Sequence, residues 1–260
     1  MYFSTLFSGS SGNALYIEAK QVKILVDAGL SGVRVQKALE SMGRRAADLD
    51  AIMVTNEHRD HTWGVGVLSR RFDLPVYATE YTWEAMEPCV GKIAEKNCVC
   101  IAVGRSFQIG DLGIDVFGTC HDAADPCSFA FTRGDKRLGL LTDTGCLTNS
   151  MEKFLRGCNT LILESNHDSK MLTTGPYPWI LKNRIRSHQG HLSNDDAAQA
   201  IGRFVTKDTT RVVLAHLSQE NNVPDLAMQN AANTLREMGY SNVFLAVASR
   251  SQAMPLTAVG

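Results

Sequence analysis

Two histidines and a carboxylate fall within four positions in the stretch Val54-Thr55-Asn56-Glu57-His58-Arg59-Asp60-His61. An apolar run of strand type leads straight into it. Imidazole nitrogens and a carboxylate oxygen together suit a borderline or hard divalent cation such as Zn²⁺, Mn²⁺ or Fe²⁺. A polar loop with incidental histidines has the same composition, so this octet does not decide by itself. Four further segments set a His or Asp at the end of a strand-like run: Leu25-Val26-Asp27-Ala28-Gly29, Thr119-Cys120-His121-Asp122, Leu141-Thr142-Asp143-Thr144-Gly145 and Val213-Leu214-Ala215-His216. Each of these alone reads as structural. Five such strand ends in one chain point to a metal site assembled from distant segments.

Those residues need rigid elements to hold them. Short β-rich runs are expected at 14–18, 22–26, 51–54, 76–78, 113–118, 128–132, 137–142, 211–215 and 243–247. Helical stripes are expected at 33–42, 63–72, 151–156, 178–186, 195–205 and 225–238. Ser193 followed by Asp196 is close to a capping box for the helix after it. Strands and helices mix through both halves, which predicts a layered α/β architecture. No repeat or low-complexity linker breaks the chain, so residues 1–260 are expected to form one domain.

Composition narrows the function classes. The chain has 260 residues, 44% hydrophobic and 20% charged, and 26 basic against 27 acidic residues leave a net charge of -1. Disorder is excluded, and any polyanion must be held by a local basic patch. The longest apolar runs are strand-length, too short to span a bilayer. Residues 1–5 lack the basic and apolar regions of a secretory signal, so a cytoplasmic protein is expected. The seven cysteines include no Cys-x-x-Cys, and Cys98-Val99-Cys100 is their only close pair. They are expected to be mostly buried thiols in a reducing compartment.

The pattern resembles the metallo-β-lactamase superfamily, whose signature is His-x-His-x-Asp-His followed by strand-end Asp, His, Asp and His. Within it, the chain resembles the bacterial WalJ/YycJ clade of exonuclease-like proteins. The stretches that carry the likeness span nearly the whole chain: Ser8-Gly9-Ser10-Ser11-Gly12-Asn13, Asp27-Ala28-Gly29-Leu30-Ser31-Gly32, His121-Asp122-Ala123-Ala124-Asp125-Pro126, Glu164-Ser165-Asn166-His167-Asp168, Gly175-Pro176-Tyr177-Pro178-Trp179, Gly190-His191-Leu192-Ser193-Asn194 and Ala215-His216-Leu217-Ser218-Gln219-Glu220-Asn221-Asn222. The resemblance implies an αββα sandwich with a dinuclear site at one edge. It implies metal-dependent phosphodiester hydrolysis by a metal-activated hydroxide, as in a 5'-to-3' exonuclease, with DNA ahead of RNA as the substrate and no membrane partner.

Carried over residue by residue, the resemblance gives one ion the position of Asn56, with His58 and His121. The second ion takes Asp60, His61 and His216, and Asp143 bridges the pair. Asp27 orients the loop that carries Asp60 and His61. The departure is Asn56, which stands where the family has its first histidine. An amide oxygen is neutral and a poorer donor to Zn²⁺ than imidazole. The expectation is therefore a weakened first site, or a harder ion such as Mn²⁺ in it.

His191 is the candidate proton donor to the leaving oxygen, since Gly190-His191-Leu192-Ser193 is similar to a motif of ribonuclease Z relatives. Asp60 and His167 are placed with it as catalytic residues, and His188 is read as a surface residue. Lys182, Arg184 and Arg186 form a local positive run with no acidic residue before His191, and are read as phosphate contacts. Ser10 and Asn13 belong to a Gly/Ser loop whose amides could hold a phosphate. Tyr177 and Trp179 are candidates for base stacking, with the core the expected place of Trp179. Two other readings stay open: a small-molecule thioester hydrolase resembling glyoxalase II, and a metal-depleted protein that binds nucleic acid without cutting it.

Overall fold

The structure, a computed structural model, describes residues 1–260. Its strands are β1 (Tyr2–Phe7), β2 (Ala14–Glu18), β3 (Lys23–Val26), β4 (Ala51–Met53), β5 (Val76–Thr79), β6 (Cys98–Ile101), β7 (Ser106–Ile109), β8 (Leu112–Gly118), β9 (Cys127–Arg133), β10 (Lys136–Leu141), β11 (Thr160–Glu164), β12 (Arg211–Ala215), β13 (Phe244–Val247) and β14 (Thr257–Ala258). Its helices are α1 (Gly32–Ser41), α2 (Arg59–Thr62), α3 (Val65–Phe72), α4 (Glu80–Val90), α5 (Asn149–Leu155), α6 (Ser169–Thr174), α7 (Trp179–Arg186), α8 (Asn194–Phe204) and α9 (Pro224–Glu237). The chain divides into two compact units. The first comprises Met1–Val116, Ala123–Cys127 and Ser249–Val259, and the second comprises Phe117–Asp122, Ser128–Ala248 and Gly260.

The first unit is built on a seven-stranded sheet in the order β14-β1-β2-β3-β4-β5-β6. β1, β2 and β3 pair antiparallel, whereas β3, β4, β5 and β6 run parallel. The parallel strands read as short continuous apolar runs because side chains on both faces are withdrawn from water. Val35 and Leu39 of α1, Leu68 of α3 and Met86 of α4 pack with Leu25, Ile52 and Val76 of the sheet in one apolar cluster.

In the second unit the sheet runs β13-β12-β11-β10-β9, with β10, β11, β12 and β13 parallel and β9 antiparallel to β10. Leu155 of α5, Ile201 and Phe204 of α8, and Ala231 and Leu235 of α9 share a core with Leu161, Leu163, Val212 and Leu214. Parallel strands share one carboxyl edge. Here Leu141 pairs with Leu163, and Glu164 with Ala215. That register sets Asp143, Glu164 and His216 at the same edge of one sheet.

Most expected elements are present within a residue or two at each end. The helix expected at 63–72 is α3, which starts two residues later, and the single turn α2 precedes it with Trp63 and Gly64 between them. A Cβ on Gly64 would lie 2.4 Å from the Leu30 carbonyl oxygen, so only glycine lets the chain turn that close. β1, β6, β7, β11, β14, α2, α4 and α6 were not expected. α4 carries Pro88 in its last turn, which breaks the usual helical signal.

Two sequence expectations are corrected. Only Cys127 and Cys158 are buried, while Cys89, Cys98 and Cys100 are exposed. The two-residue strand repeat sends Cys98 and Cys100 of the edge strand β6 to the same, solvent face. Trp179 is not core but 67% exposed, beside Ile180 at 84%. α7 buries no residue. No helix is long and apolar enough to cross a membrane.

Candidate metal centre

In the first unit the octet folds as a loop after β4 followed by the single turn α2. Asp27, directly after β3, has φ 59°, a left-handed conformation uncommon outside glycine. Its amide donates to the Met53 carbonyl, and the following Ala28 amide donates to the His61 carbonyl. The turn aims the carboxylate at the octet. Oδ1 accepts from the Thr55 amide at 2.9 Å, and Oδ2 accepts from Thr55 Oγ1 at 2.9 Å. Oδ2 also lies 2.8 Å from His61 Nδ1. This contact assigns the His61 proton to Nδ1 and turns the Nε2 lone pair outward.

Asp60 sits beside this ring, its Oδ2 3.5 Å from His61 Nε2. Its backbone is strapped to the Gly/Ser loop, since the Asn13 amide donates to the Asp60 carbonyl at 2.8 Å. Gly29 must be glycine here, because a Cβ would meet that same carbonyl oxygen at 1.6 Å. The Asn13 side chain is buried. Its Oδ1 accepts from the Gly9 amide, and its Nδ2 reaches Asp60 Oδ2 and His61 Nε2, both at 3.2 Å. It therefore braces Asp60 and His61, while Ser10 stays exposed. Asn56 is fully buried, and its Oδ1 accepts from the His58 amide at 3.0 Å, closing the turn. His58 is the N-cap residue of α2 and is partly exposed.

In the second unit the centre is Glu164, the last residue of β11, with no exposed surface. Sequence reasoning quoted the stretch containing it but gave Glu164 no role. Oε2 accepts from the amides of Thr144, at 3.2 Å, and Leu192, at 3.1 Å. Oε1 takes both His191 Nδ1, at 2.7 Å, and His216 Nδ1, at 2.9 Å. Burial by itself pushes this carboxyl up, but the charges and hydrogen bonds of His191 and His216 outweigh it and hold the group below the usual carboxylate range.

Asp143 and His216 repeat the device seen at Asp27, with φ 55° and 57°, two residues past β10 and one past β12. Asp143 Oδ1 lies 3.6 Å from His216 Nδ1 and 3.7 Å from both His191 Nδ1 and His121 Nε2. The His121 Nδ1 is taken by the Gly190 carbonyl at 3.0 Å. The His191 ring is tilted 4.9 Å from that of His121 and 5.2 Å from that of His216. Asp143, Glu164, His191 and His216 each offer a ligand atom within 4.8 Å of the others.

A polar clamp fixes the surrounding loops. Asn222 Nδ2 donates to the carbonyls of Ser165 and Asn166, and Asn166 Nδ2 donates to that of His216. Ser193 caps α8 as expected, with Asp196 completing the capping box. His167 is buried beneath these loops, its Nδ1 without a protein partner, and burial pushes its pKa down to about 4. It is neutral at pH 7. Lys182 spends its ammonium on the carbonyls of Thr173 and Gly175. Arg184 pairs with Asp122, and Arg186 donates to Thr173. Long-range pairing thus offsets part of a charge run that looks unopposed in the sequence. His188 is exposed, as expected.

The donor set fits divalent metal. In His61, His121 and His216 a carboxylate or carbonyl oxygen holds Nδ1, which leaves Nε2 as the coordinating atom. A hard carboxylate, Asp143, lies beside two of these rings.

Residues 22–217 match the family described as the beta-lactamase superfamily domain. The chain is 43% identical over 240 residues to the exodeoxyribonuclease YycJ of Bacillus anthracis, covering 92% of this chain and 91% of that protein. Among solved structures it is similar to the metallo-β-lactamase fold protein YhfI from Bacillus subtilis. The TM-score is 0.71 at 17% identity, covering 98% of this chain and 99% of that one. It is also similar to zinc-bound PqqB from Methylobacterium extorquens, with TM-score 0.65 at 15% identity, covering 98% and 99%. These likenesses show the fold, the α/β class expected from the sequence as an αββα sandwich.

Two outcomes follow from this geometry. Glu164→Gln replaces an acceptor of four donors by a group that must donate at one end. Metal affinity, read by competition with a chromophoric chelator, should fall about 10- to 100-fold; unchanged affinity would contradict the role. His167 is neutral in the folded chain down to about pH 4, whereas in the unfolded chain it takes up a proton near pH 6.5. Stability of metal-free protein should therefore fall as pH drops from 6.5 toward 4. His121, also depressed by burial, supplies part of this slope. Thermal melts of His167→Asn should show a shallower slope, and an identical slope would contradict the assignment.

Proposed function

The chain belongs to the beta-lactamase superfamily domain family, and on that footing we propose that it is a metal-dependent phosphodiesterase that degrades nucleic acid from an end. The observation that carries this reading is the set of imidazoles held by Nδ1 beside Asp143. The 43% identity to a protein named exodeoxyribonuclease supports the substrate class and favours DNA over RNA.

We further propose the ligand roles that the family resemblance gives. His58 and His121 serve one ion with the help of Asn56. Asp60, His61 and His216 serve the other, and Asp143 serves both. Divalent ions bound there supply Lewis acidity, activating water as the nucleophile and offsetting charge on phosphate oxygens. The hydrogen bond from the His58 amide to Asn56 Oδ1 supports a weaker first site, since the oxygen that would ligate already closes a turn.

The chain's own residues do the rest. Asp27, Gly190 and Glu164 fix the tautomer and aim of His61, His121 and His216. With Nδ1 of His191 held by Glu164, the proton that moves is that of Nε2, on a side chain that is 20% exposed. It passes to the leaving oxygen of the phosphodiester. Lys182, Arg184 and Arg186 on α7 and the loop around Ser10 attract the strand backbone.

Nuclease assays on end-labelled oligonucleotides under Mn²⁺ and Zn²⁺, with elemental analysis of each variant, test this. His61→Ala, Asp143→Ala and His216→Ala should lose both metal and at least about 10³-fold in cleavage. His191→Ala should keep its metal and lose about 10²- to 10⁴-fold in kcat. Cleavage that survives in metal-free buffer, or faster turnover of a thioester than of a phosphodiester, would overturn the proposal.

A further inference from the structure

Large aromatic side chains are driven from water, yet Trp63 is 50% exposed. It follows α2 directly, one turn beyond Arg59, whose guanidinium lies 4.2 Å from the centroid of the indole ring. A cation so placed is attracted to the face of the ring. One further turn along, Val67 is also exposed, at 48%.

Beside the ring is a pocket of about 380 Å³, lined by Ser10, Ser11, Gly29, Arg59, Asp60 and Trp63. It combines one flat aromatic face, one cation and two hydroxyls with the carboxylate that the proposed reaction assigns to metal. A purely apolar ligand would find only the indole here. A nucleotide matches each part, because its base has a π face and its phosphate is anionic.

Asp60 and Trp63 belong to the same turn of chain. Anything seated on Trp63 is therefore held at a set position relative to Asp60. Stacking also accepts every base, since each has a π face, whereas hydrogen-bond readout would select among them. An enzyme that shortens a strand regardless of sequence requires such tolerance.

We propose that Trp63, backed by Arg59, is a stacking platform for one nucleobase of a single strand, with Ser10 and Ser11 facing its sugar–phosphate. This inference rests on the nucleic-acid reading above and adds the subsite beside Asp60 that positions the strand.

The test is equilibrium binding by the full-length protein in EDTA, which prevents cleavage. Two fluorescent probes of equal length are compared, oligothymidylate and an abasic deoxyribose-phosphate chain. Trp63→Ala should weaken oligothymidylate about tenfold and the abasic chain less than twofold, and Trp63→Phe should recover most of the loss. Equal weakening of both probes, or no weakening of either, overturns the platform. Cleavage of oligothymidylate by the unaltered protein with Mn²⁺ or Zn²⁺ is read in parallel. Base-dependent loss in Trp63→Ala without any cleavage would remove the nuclease reading and keep the platform. Cleavage together with unchanged Trp63→Ala affinity would do the reverse.

Discussion

A carboxylate without access to water must be surrounded by donors, and Glu164 is. Removing such an ion from solvent costs several kcal/mol, which only near-ideal hydrogen bonds offset. Two backbone amides take one oxygen, and two imidazoles take the other. The second pair matters most for function, because each ring can satisfy Glu164 only through Nδ1. The same bonds that make the buried charge tolerable therefore fix which nitrogen of His191 and His216 is left for chemistry. Asp27 does this for His61 in the other unit, and the Gly190 carbonyl does it for His121.

Backbone strain serves the same end. Asp27, Asp143 and His216 are three of only four residues other than glycine with positive φ. All three lie within two residues of the end of a buried strand. A left-handed residue at a strand end turns its side chain off the strand line toward the edge of the sheet. Such a conformation is costly unless its surroundings enforce it. Here the enforcement is visible in hydrogen bonds from the Asp27 amide to the Met53 carbonyl, from Asn166 Nδ2 to the His216 carbonyl, and from the Thr144 amide to Glu164 Oε2.

Much of this was legible in the sequence, for physical reasons. Strand-end His and Asp residues stand out because a strand is short, apolar and followed by a sharp change of polarity. The capping box at Ser193 is a local interaction and was read correctly. Glu164 was missed because the strand that it ends, β11, was not expected, and its role depends on residues 27 and 52 positions away. The positive run on α7 was read as open charge because its partners Asp122, Thr173 and Gly175 lie on other segments. Trp179 was expected in the core, whereas its helix α7 has no buried residue and leaves it 67% exposed.

The account depends on nitrogen atoms being chosen before any metal arrives. Anomalous diffraction from crystals loaded with Zn²⁺ or Mn²⁺ examines that choice directly. Ions should lie against Nε2 of His61, His121 and His216, with Asp27, the Gly190 carbonyl and Glu164 still holding the Nδ1 atoms. Ions found on Nδ1 with those partners displaced, or on the sulfurs of Cys120 or Cys146, would contradict it.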